Sequence, residues 1–331
     1  MGSGPTIYDI AKRAQVGIAT VSRVINGSAR VAESTRAAVV QAMADLDFRP
    51  NRAARRLAAG GPNRPRVAAL LPFFSTNFYF SVCKPLSQGL AAADIDLVLC
   101  NVQDRADKNR QLDRLLKERS CEGLLLCSMG VGVARRDEFH RAGIPIVAVD
   151  YALPEIPSVQ VDNIAGGKLA AEYLRRTGST KLALVTGPAA AHAFRDREIG
   201  FHASAGSDAP VFRCAAVSPE EGRIAAAQVL SESAVDGIVC VNDLLAVGVL
   251  DHLREVGRVV PKDIQVIGFD DQPLMDHLGL TTVRQPMGDF GAWAAEALVQ
   301  ILIERTGQPP SETLPLTLIP RATTRRAPEH P

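Results

Sequence analysis

The sequence lacks the cysteine patterns that mark metal sites and disulfide frameworks. Its six cysteines stand singly, with no C-x-x-C pair and no spacing typical of metal ligands. Three of them, Cys100, Cys127 and Cys240, end apolar runs, which favours buried free thiols in a reduced compartment. We therefore expect neither a bound metal nor a stabilising disulfide.

Membrane and secretion signals are also missing. No run is long and apolar enough to span a bilayer, and residues 1–5 lack the apolar core of a signal peptide. These absences predict a cytoplasmic protein without a membrane partner.

The common enzyme motifs are absent as well. The sequence contains no G-x-S-x-G, no Walker motif and no H-E-x-x-H. Residues 130–135 begin like a dinucleotide-binding turn, but Arg135 stands where that turn needs glycine or alanine. We expect neither an enzyme nor a cofactor.

What is present is a folded composition with an uneven charge. The 331 residues are 47% hydrophobic and 22% charged, which indicates a globular chain of two or three domains. From totals of 37 basic and 36 acidic residues, residues 1–66 hold 11 and 4, and the remainder holds 26 and 32. A basic head on an acidic body concentrates affinity for phosphate at one end of the molecule.

Residues 6–26, TIYDIAKRAQVGIATVSRVIN, carry two short apolar patterns at helical spacing. The residues Gln15-Val16-Gly17 interrupt the pattern, and Asn26-Gly27 stops the second helix. Two short helices joined by a tight turn, the second rich in Thr, Ser and Arg, are typical of a helix-turn-helix. The second helix of such a unit lies in the major groove of DNA.

Longer segments carry a specific resemblance. Tyr8-Asp9-Ile10-Ala11, Val16, the run TVSRVING at residues 20–27 and PNRAA at residues 50–54 resemble the headpiece of the LacI family of transcriptional regulators. The resemblance continues more loosely to the C-terminus. It implies an all-α helix-turn-helix headpiece with a hinge helix, followed by a two-subdomain doubly wound α/β body of the periplasmic-binding-protein-like type.

The resemblance assigns DNA contacts in the headpiece. Ile18 and Ala19 occupy positions that help to choose the operator sequence, and Arg23 can donate two hydrogen bonds to a guanine. Gly17 departs from the Ser or Thr common before this helix. The predicted headpiece contacts are Tyr8, Ile18, Ala19, Thr20, Ser22, Arg23 and Asn26.

A second set of DNA contacts falls in the predicted hinge. By resemblance, Leu57 is a wedge between central base pairs in the minor groove, with Ala54 against the groove floor. The flanking arginines neutralise phosphates. An exposed linker with a stray leucine is the alternative. The predicted hinge contacts are Asn51, Arg52, Ala54, Arg55 and Leu57.

From residue 67 onward, nine apolar runs alternate with amphipathic helical stretches. Such runs predict parallel strands covered on both faces, in two doubly wound sheets. In the family, the chain crosses between the two subdomains three times. We therefore expect a headpiece at 1–50, a hinge helix and linker at 51–65, a first subdomain at 66–162 plus 291–320, and a second at 163–290 plus 321–331.

Parallel-sheet clefts bind ligands at the carboxyl ends of strands, which draws attention to polar residues directly after the apolar runs. In the family, carboxylates and an Asn accept hydrogen bonds from sugar hydroxyls, and an Arg donates from the other lobe. A carboxylate after a strand can instead cap the next helix or accept local backbone N–H groups, and we interpret Asp243 and Asp271 as structural residues of this kind. The predicted effector contacts are Phe78, Asp150, Tyr151, Arg197, Asn242 and Asp270, with Phe80 a second candidate for stacking.

The function that this resemblance implies is a repressor that binds a pseudo-palindromic operator on double-stranded DNA and answers to a small-molecule effector, a sugar or sugar derivative. A corepressor-dependent regulator of the purine-repressor type, or an activator, stays open, because the sequence does not fix the sign of the coupling. The chain offers no apolar heptad for a tetramerising tail, so we expect a homodimer.

Overall fold

The computed structural model describes residues 6–25, 31–46, 48, 64–72 and 77–326. The headpiece contains three helices: α1 (Ile7–Arg13), α2 (Ile18–Ile25) and α3 (Glu33–Asp45). Their apolar faces meet in a small core that includes Ile10, Val21 and Val39, all of them fully buried. The predicted helix-turn-helix is confirmed.

Local interactions fix the ends of these helices. The carboxylate of Asp9 accepts the backbone N–H of Thr6 at 2.8 Å, which satisfies a donor that the start of α1 leaves open. Gln15 adopts a left-handed backbone (φ 53°) in the turn that redirects the chain into α2. Arg13 pairs with Asp45 at 2.8 Å and so ties α1 to α3.

The first lobe is built on a six-stranded, fully parallel sheet in the order β11-β5-β4-β3-β1-β2. The helices that belong to this lobe are α4 (Asn77–Ala92), α5 (Arg105–Glu118), α6 (Val133–Arg141) and α11 (Met287–Val299), which continues as a π-helical turn, Gln300–Glu304. Its strands are β1 (Arg66–Pro72), β2 (Asp96–Val102), β3 (Gly123–Cys127), β4 (Ile146–Val149), β5 (Ser158–Val161) and β11 (Glu312–Leu314).

The second lobe repeats this plan with the order β12-β10-β9-β8-β6-β7, in which only β12 runs antiparallel. Its helices are α7 (Asn163–Arg176), α8 (His192–Ala205), α9 (Pro219–Glu232) and α10 (Asp243–Glu255). Its strands are β6 (Leu182–Thr186), β7 (Val211–Arg213), β8 (Gly237–Cys240), β9 (Gln265–Asp270), β10 (Thr281–Arg284) and β12 (Thr317–Ile319).

The chain crosses between the lobes three times: after β5, after β10, and between β11 and β12. The expected limits of 291–320 for the returning segment differ from the structure at both ends. Helix α11 begins at Met287 and packs against α4, and Thr317–Ile319 pairs with β10 of the second sheet. The sequence between β11 and β12, Pro315-Leu316, marks the last crossing.

Helices α7 and α8 pack unusually closely, because each carries a glycine at the contact. A Cβ atom at Gly167 would collide with the carbonyl oxygen of Arg197, and one at Gly200 would collide with that of Ile164. Both collisions are with backbone, which cannot swing aside. The two glycines therefore set where α8 lies on the second sheet, and with it the position of Arg197.

Within the part of the chain that the structure describes, none of the helices has both the length and the apolar character needed to cross a membrane.

Candidate functional site

The exposed side of α2 carries the predicted DNA contacts. Val21 and Val24 face the headpiece core, while Ile18 is 42% exposed and Ala19 and Arg23 lie on the surface. Thr20 and Ser22 are half-buried, and Tyr8 on α1 is 67% exposed. One face of α2 is buried in the headpiece core. Its opposite face presents an apolar side chain and an arginine that can contact base edges. Asn26, Asn51, Arg52, Ala54, Arg55 and Leu57 lie outside the described residues.

Asp150 lies in the cleft between the lobes, directly after β4, and is only 5% exposed. Its Oδ2 accepts a hydrogen bond from the hydroxyl of Ser128 at 2.6 Å, while its Oδ1 has no hydrogen-bond partner among the described residues. Ser128 (φ 51°) and Asp150 (φ 55°) both have left-handed backbones. Strained residues at the ends of two neighbouring strands are typical of functional sites.

Arg197 reaches the cleft from α8 and is 4% exposed. Its Nε donates to Asn163 Oδ1 at 2.9 Å, and its Nη1 donates to the carbonyl oxygen of Val241 at 2.5 Å. The guanidinium carbon stands 3.6 Å from the centroid of the Phe269 ring, which adds a cation–π contact. Burial lowers the pKa of Arg197, but these partners and the nearby carboxylates keep the charged form stable.

Asp270, at the end of β9, faces Arg197 across 3.7 Å and is also buried. Two amides donate to its carboxylate, Gln285 Nε2 to Oδ1 at 2.7 Å and Gln272 Nε2 to Oδ2 at 3.0 Å. Burial raises the pKa of Asp270 to about 6, although Arg197 and the two amides oppose the shift. Desolvation raises the pKa of Asp150 in the same way.

The neighbouring residues Asn242, Asp243 and Asp271 have structural partners. The side-chain oxygen of Asn242 caps α10 by accepting the N–H of Leu245 at 3.0 Å. Asp243 accepts from the Thr282 hydroxyl and the Gln272 N–H, each at 2.7 Å. Asp271 pairs with arginines of the second lobe. Our structural interpretation of Asp243 and Asp271 fits these contacts, and Asn242, predicted to bind an effector, has its oxygen committed to the helix cap.

Tyr151, the residue after Asp150, contacts the other lobe directly. Its ring lies edge-on to that of His192, the first residue of α8, with centroids 4.3 Å apart. His192 is also hydrogen-bonded to the backbone of Asp150, and burial lowers its pKa. The lobes are therefore joined across the cleft by two ring side chains as well as by charge.

Phe78, predicted to contact an effector, is 6% exposed and lies in the core of the first lobe, with Phe290 6.5 Å away between ring centroids. The next residue, Tyr79, is the one whose side chain is hydrogen-bonded to Ser128, and burial strongly raises its pKa. Phe80, our second candidate, is 72% exposed. One step along a helix turns a side chain by about 100°, which explains why adjacent positions have such different surroundings.

Several residues of the cleft were missed at the level of sequence. Ser128 follows the apolar run that ends at Cys127, so the rule that selected Asp150 could have selected it too. Gln272 lies in the loop after β9, while Gln285 follows β10, a strand without an apolar run. Asn163 and His192 begin helices, where nothing in the sequence distinguishes them from capping residues.

The structure also contains a cavity of about 800 Å³ at the opposite, amino-terminal edge of the first sheet. Its walls include Pro65, Pro145 and Leu302. None of the charged side chains in its walls is buried, and Arg136 there pairs with Glu155 at 2.5 Å. Asp150, Arg197 and Asp270 in the cleft are buried, which makes the cleft the candidate ligand site.

A helix-turn-helix head on two doubly wound lobes that close over buried charged residues defines a ligand-responsive DNA-binding protein. Residues 6–51 match the family described as "Bacterial regulatory proteins, lacI family", and residues 171–324 match the "Periplasmic binding protein-like domain". Over 330 residues, 97% of this chain and 99% of the relative, the sequence is 32% identical to the ribose operon repressor of Bacillus subtilis (strain 168). The chain belongs to the LacI family of bacterial regulatory proteins.

Two further relatives show the breadth of this family. The chain is 33% identical to the HTH-type transcriptional repressor PurR of Vibrio atlanticus (strain LGP32), over 89% of this chain and 91% of the relative. A solved structure of the lac repressor dimer, bound to operator and the anti-inducer ONPF, superposes with a TM-score of 0.70 at 25% identity, over 98% of this chain and 100% of that one.

Proposed function

We propose that this protein is a cytoplasmic transcriptional repressor that binds a pseudo-palindromic operator as a homodimer and is controlled by a sugar bound in the cleft. One observation carries the proposal: a single chain joins an outward-facing recognition helix to a cleft lined by Asp150, Arg197 and Asp270. Two copies would place two recognition helices on two half-sites. Relatives that are operon repressors, one of them for ribose, support this function.

The proposed control is a shift between open and closed lobes. Residues from both lobes meet in the cleft, so a ligand that contacts Asp150 on one side and Asp270 on the other favours the closed arrangement. Closure moves the first lobe relative to the second, and the headpiece precedes the first lobe in the chain. Ligand binding and operator affinity are then coupled in both directions.

Selection of operator sequences from a random duplex library by the full-length protein tests the DNA-binding part. We expect enrichment of a site with two symmetric half-sites. The Arg23→Ala variant should bind the selected site at least about tenfold more weakly, since a good base contact contributes about 1–3 kcal/mol. The matched control is Arg254→Ala, which removes an exposed arginine of the second lobe and should leave operator affinity unchanged. A library that shows no enrichment would refute sequence-specific binding.

The same duplex, measured with and without a sugar that stabilises the protein, gives the sign of control. A loss of affinity on addition of sugar identifies induction, and a gain identifies corepression. A sugar that binds the protein without changing its operator affinity would refute the proposed coupling. The mass in solution, twice that of the chain for a dimer, is measured on the same sample.

A further inference from the structure

The cavity at the amino-terminal edge of the first sheet is a separate space from the cleft. It extends along the beginnings of four neighbouring strands and is lined there by Pro65 before β1, Glu122 before β3, Ile146 in β4 and Ile156 before β5. Asp150 of the cleft follows the opposite end of β4. The volume of about 800 Å³ falls within the range of about 300–1,000 Å³ that small-molecule pockets occupy. The cavity can therefore hold a small molecule of its own.

Part of the cavity wall is apolar. Ile144, Ile146 and Ile156 are buried there, and Ile301 and Leu302 of the π-helical turn are half-buried. A ligand with an apolar body that covers these side chains would remove apolar surface from water, which favours binding.

The carboxylates of the wall already have partners within the protein. Glu122 accepts the backbone N–H of Arg66 at 2.6 Å. Asp137 and Glu155 both pair with Arg136, at 3.0 Å and 2.5 Å. Each acidic side chain among the lining residues is thus committed, so the wall offers little to a cationic ligand.

Two arginines of the wall are uncommitted. The side chains of Arg119 and Arg305 are exposed and form no hydrogen bond or ion pair with any described residue. Each ends a helical segment with a left-handed backbone, φ 43° at Arg119 and φ 56° at Arg305, where glycine is the usual residue. Strained backbone of this kind is concentrated at functional sites. Guanidinium groups bind carboxylates and phosphates through paired N–H donors.

We infer that this cavity is a second ligand site, which binds an organic anion with an apolar body, and that its occupation changes operator affinity. The apolar body covers the isoleucine and leucine side chains, and the anionic group, a carboxylate or a phosphate monoester, meets Arg119 and Arg305. Pro65 in the wall is also the residue through which the chain from the headpiece enters β1, so a ligand here acts on that connection. The effect on operator affinity rests on the proposed function, whereas binding in the cavity does not.

Displacement of a fluorescent probe tests binding to the full-length protein. The probe is anilinonaphthalene sulfonate, which combines apolar rings with one negative charge, and the competitors are benzoate, phenyl phosphate, uncharged benzyl alcohol and cationic benzylamine. We expect the probe to bind, and at least one anion to displace it at least about tenfold more effectively than the alcohol or the amine. The better of the two anions identifies the anionic group. A probe that does not bind, or equal displacement by the alcohol or the amine, would overturn the inference.

Variants that remove charge locate the probe. The double variant Arg119→Gln with Arg305→Gln should bind the probe at least about tenfold more weakly than wild type. The matched control is Arg114→Gln, which removes an exposed arginine of α5 that does not line the cavity and should bind the probe normally. Binding that is retained in the double variant and lost in Asp150→Asn would place the probe in the cleft and refute the second site.

Thermal stability separates a ligand-binding role of Arg119 from a structural one. Arg119→Gly puts glycine at a left-handed position, so the melting temperature should stay nearly the same or rise while probe affinity falls. A lower melting temperature with unchanged probe affinity would show that Arg119 serves the fold, and the inference would fail.

Operator affinity, measured with and without the better anion, tests the regulatory part. We expect a change of at least about fivefold in wild type and none in the Arg119→Gln, Arg305→Gln double variant. Unchanged operator affinity in wild type would refute control from this cavity. Operator selection needs no anion and judges the DNA-binding function separately.

Discussion

The ring of Tyr151, at the end of β4 in the first lobe, lies edge-on to the ring of His192, which begins α8 in the second lobe; their centroids are 4.3 Å apart. Because the two rings belong to different lobes, opening of the cleft would separate them. Aromatic pairs of this geometry add about 0.5–1.5 kcal/mol beyond the area that they bury. The pair therefore stabilises the arrangement that retains a ligand.

Replacing His192 by alanine should weaken sugar binding by about threefold to tenfold, because the closed state loses one of its contacts between lobes. Calorimetric titration of the variant with a sugar that stabilises the wild-type protein measures the change. His277→Ala is the control, since the exposed His277 pairs only with the adjacent Asp276 among its described contacts. Unchanged affinity in His192→Ala would show that the ring contact has no part in closure.

Replacing Gly200 by alanine should destabilise the second lobe by about 1–3 kcal/mol or more, because its Cβ atom meets the backbone of α7. The shift of α8 also displaces Arg197, so sugar affinity should fall as well. Gly288→Ala adds a methyl group with no atom within 4 Å and should leave both quantities nearly unchanged. Denaturant unfolding gives the stability difference. A stable Gly200→Ala variant would contradict the close helix packing.

Stability should fall as the pH rises through the pKa of Asp270. The folded pKa of about 6 lies above the ordinary value of 3.8, so the native state holds this proton more tightly than the unfolded chain does. The resulting stabilisation is fully present below the unfolded pKa and is lost as the pH rises through the folded one. The loss between about pH 5 and about pH 7 should be on the order of 1 kcal/mol.

Parallel unfolding curves of wild type and Asp270→Asn at these two values of pH isolate the contribution of Asp270. The variant should show a smaller loss of stability with rising pH. The exposed carboxyl of Asp276 has a lowered pKa, owing first to its hydrogen bond with His277, so Asp276→Asn should keep the wild-type difference. Identical pH dependence in Asp270→Asn and wild type would mean that Asp270 titrates normally.

The six thiols should not react in the native protein. All six cysteines are buried and free, and burial raises the pKa of each thiol, to about 12 at Cys121 and about 11 at Cys83 and Cys214. Thiolates are the reactive species, and none is exposed to a reagent. Titration with a thiol-reactive chromophore should show no fast phase in native buffer and six equivalents after unfolding. A fast-reacting thiol in the native state would show that one of these sites opens readily.

Much of the fold of the two-lobed body could be predicted from the apolar runs, because each of the nine predicted runs forms a strand of one of the two sheets. Three strands, β10, β11 and β12, lie outside those runs, and the sequence of β10 is Thr281-Thr282-Val283-Arg284. Both threonines are fully buried, and their hydroxyls bond to Thr324 and Asp243. Partners that lie 39 to 43 residues away make a polar strand acceptable in a core, and no local pattern reveals them.

Because strand β10 was not predicted, Gln285 was not identified as a residue of the cleft. Gln285 comes directly after β10, so a strand that the sequence pattern did not predict left its functional neighbour unassigned. Asp150, Arg197 and Asp270 were predicted from their positions after strands and on the helix after β6, and the structure brings them together. Their partners, Ser128, Asn163 and Gln272, depend on which loops face each other, and that is a property of the three-dimensional packing.

Gln285 also lies in one of the three segments by which the chain passes from one lobe to the other, between β10 of the second and α11 of the first. Its amide nitrogen donates to Asp270 at 2.7 Å, while its buried side-chain oxygen has no hydrogen-bond partner among the described residues. A ligand that donates a hydrogen bond to this oxygen would contact one of the segments about which the lobes rotate. The same ligand would also contact the cleft surfaces that closure brings together. Ligand recognition and the mobility of this connecting segment would then change together. Substitutions of Gln285 that alter effector preference should therefore also alter how far the lobes can open.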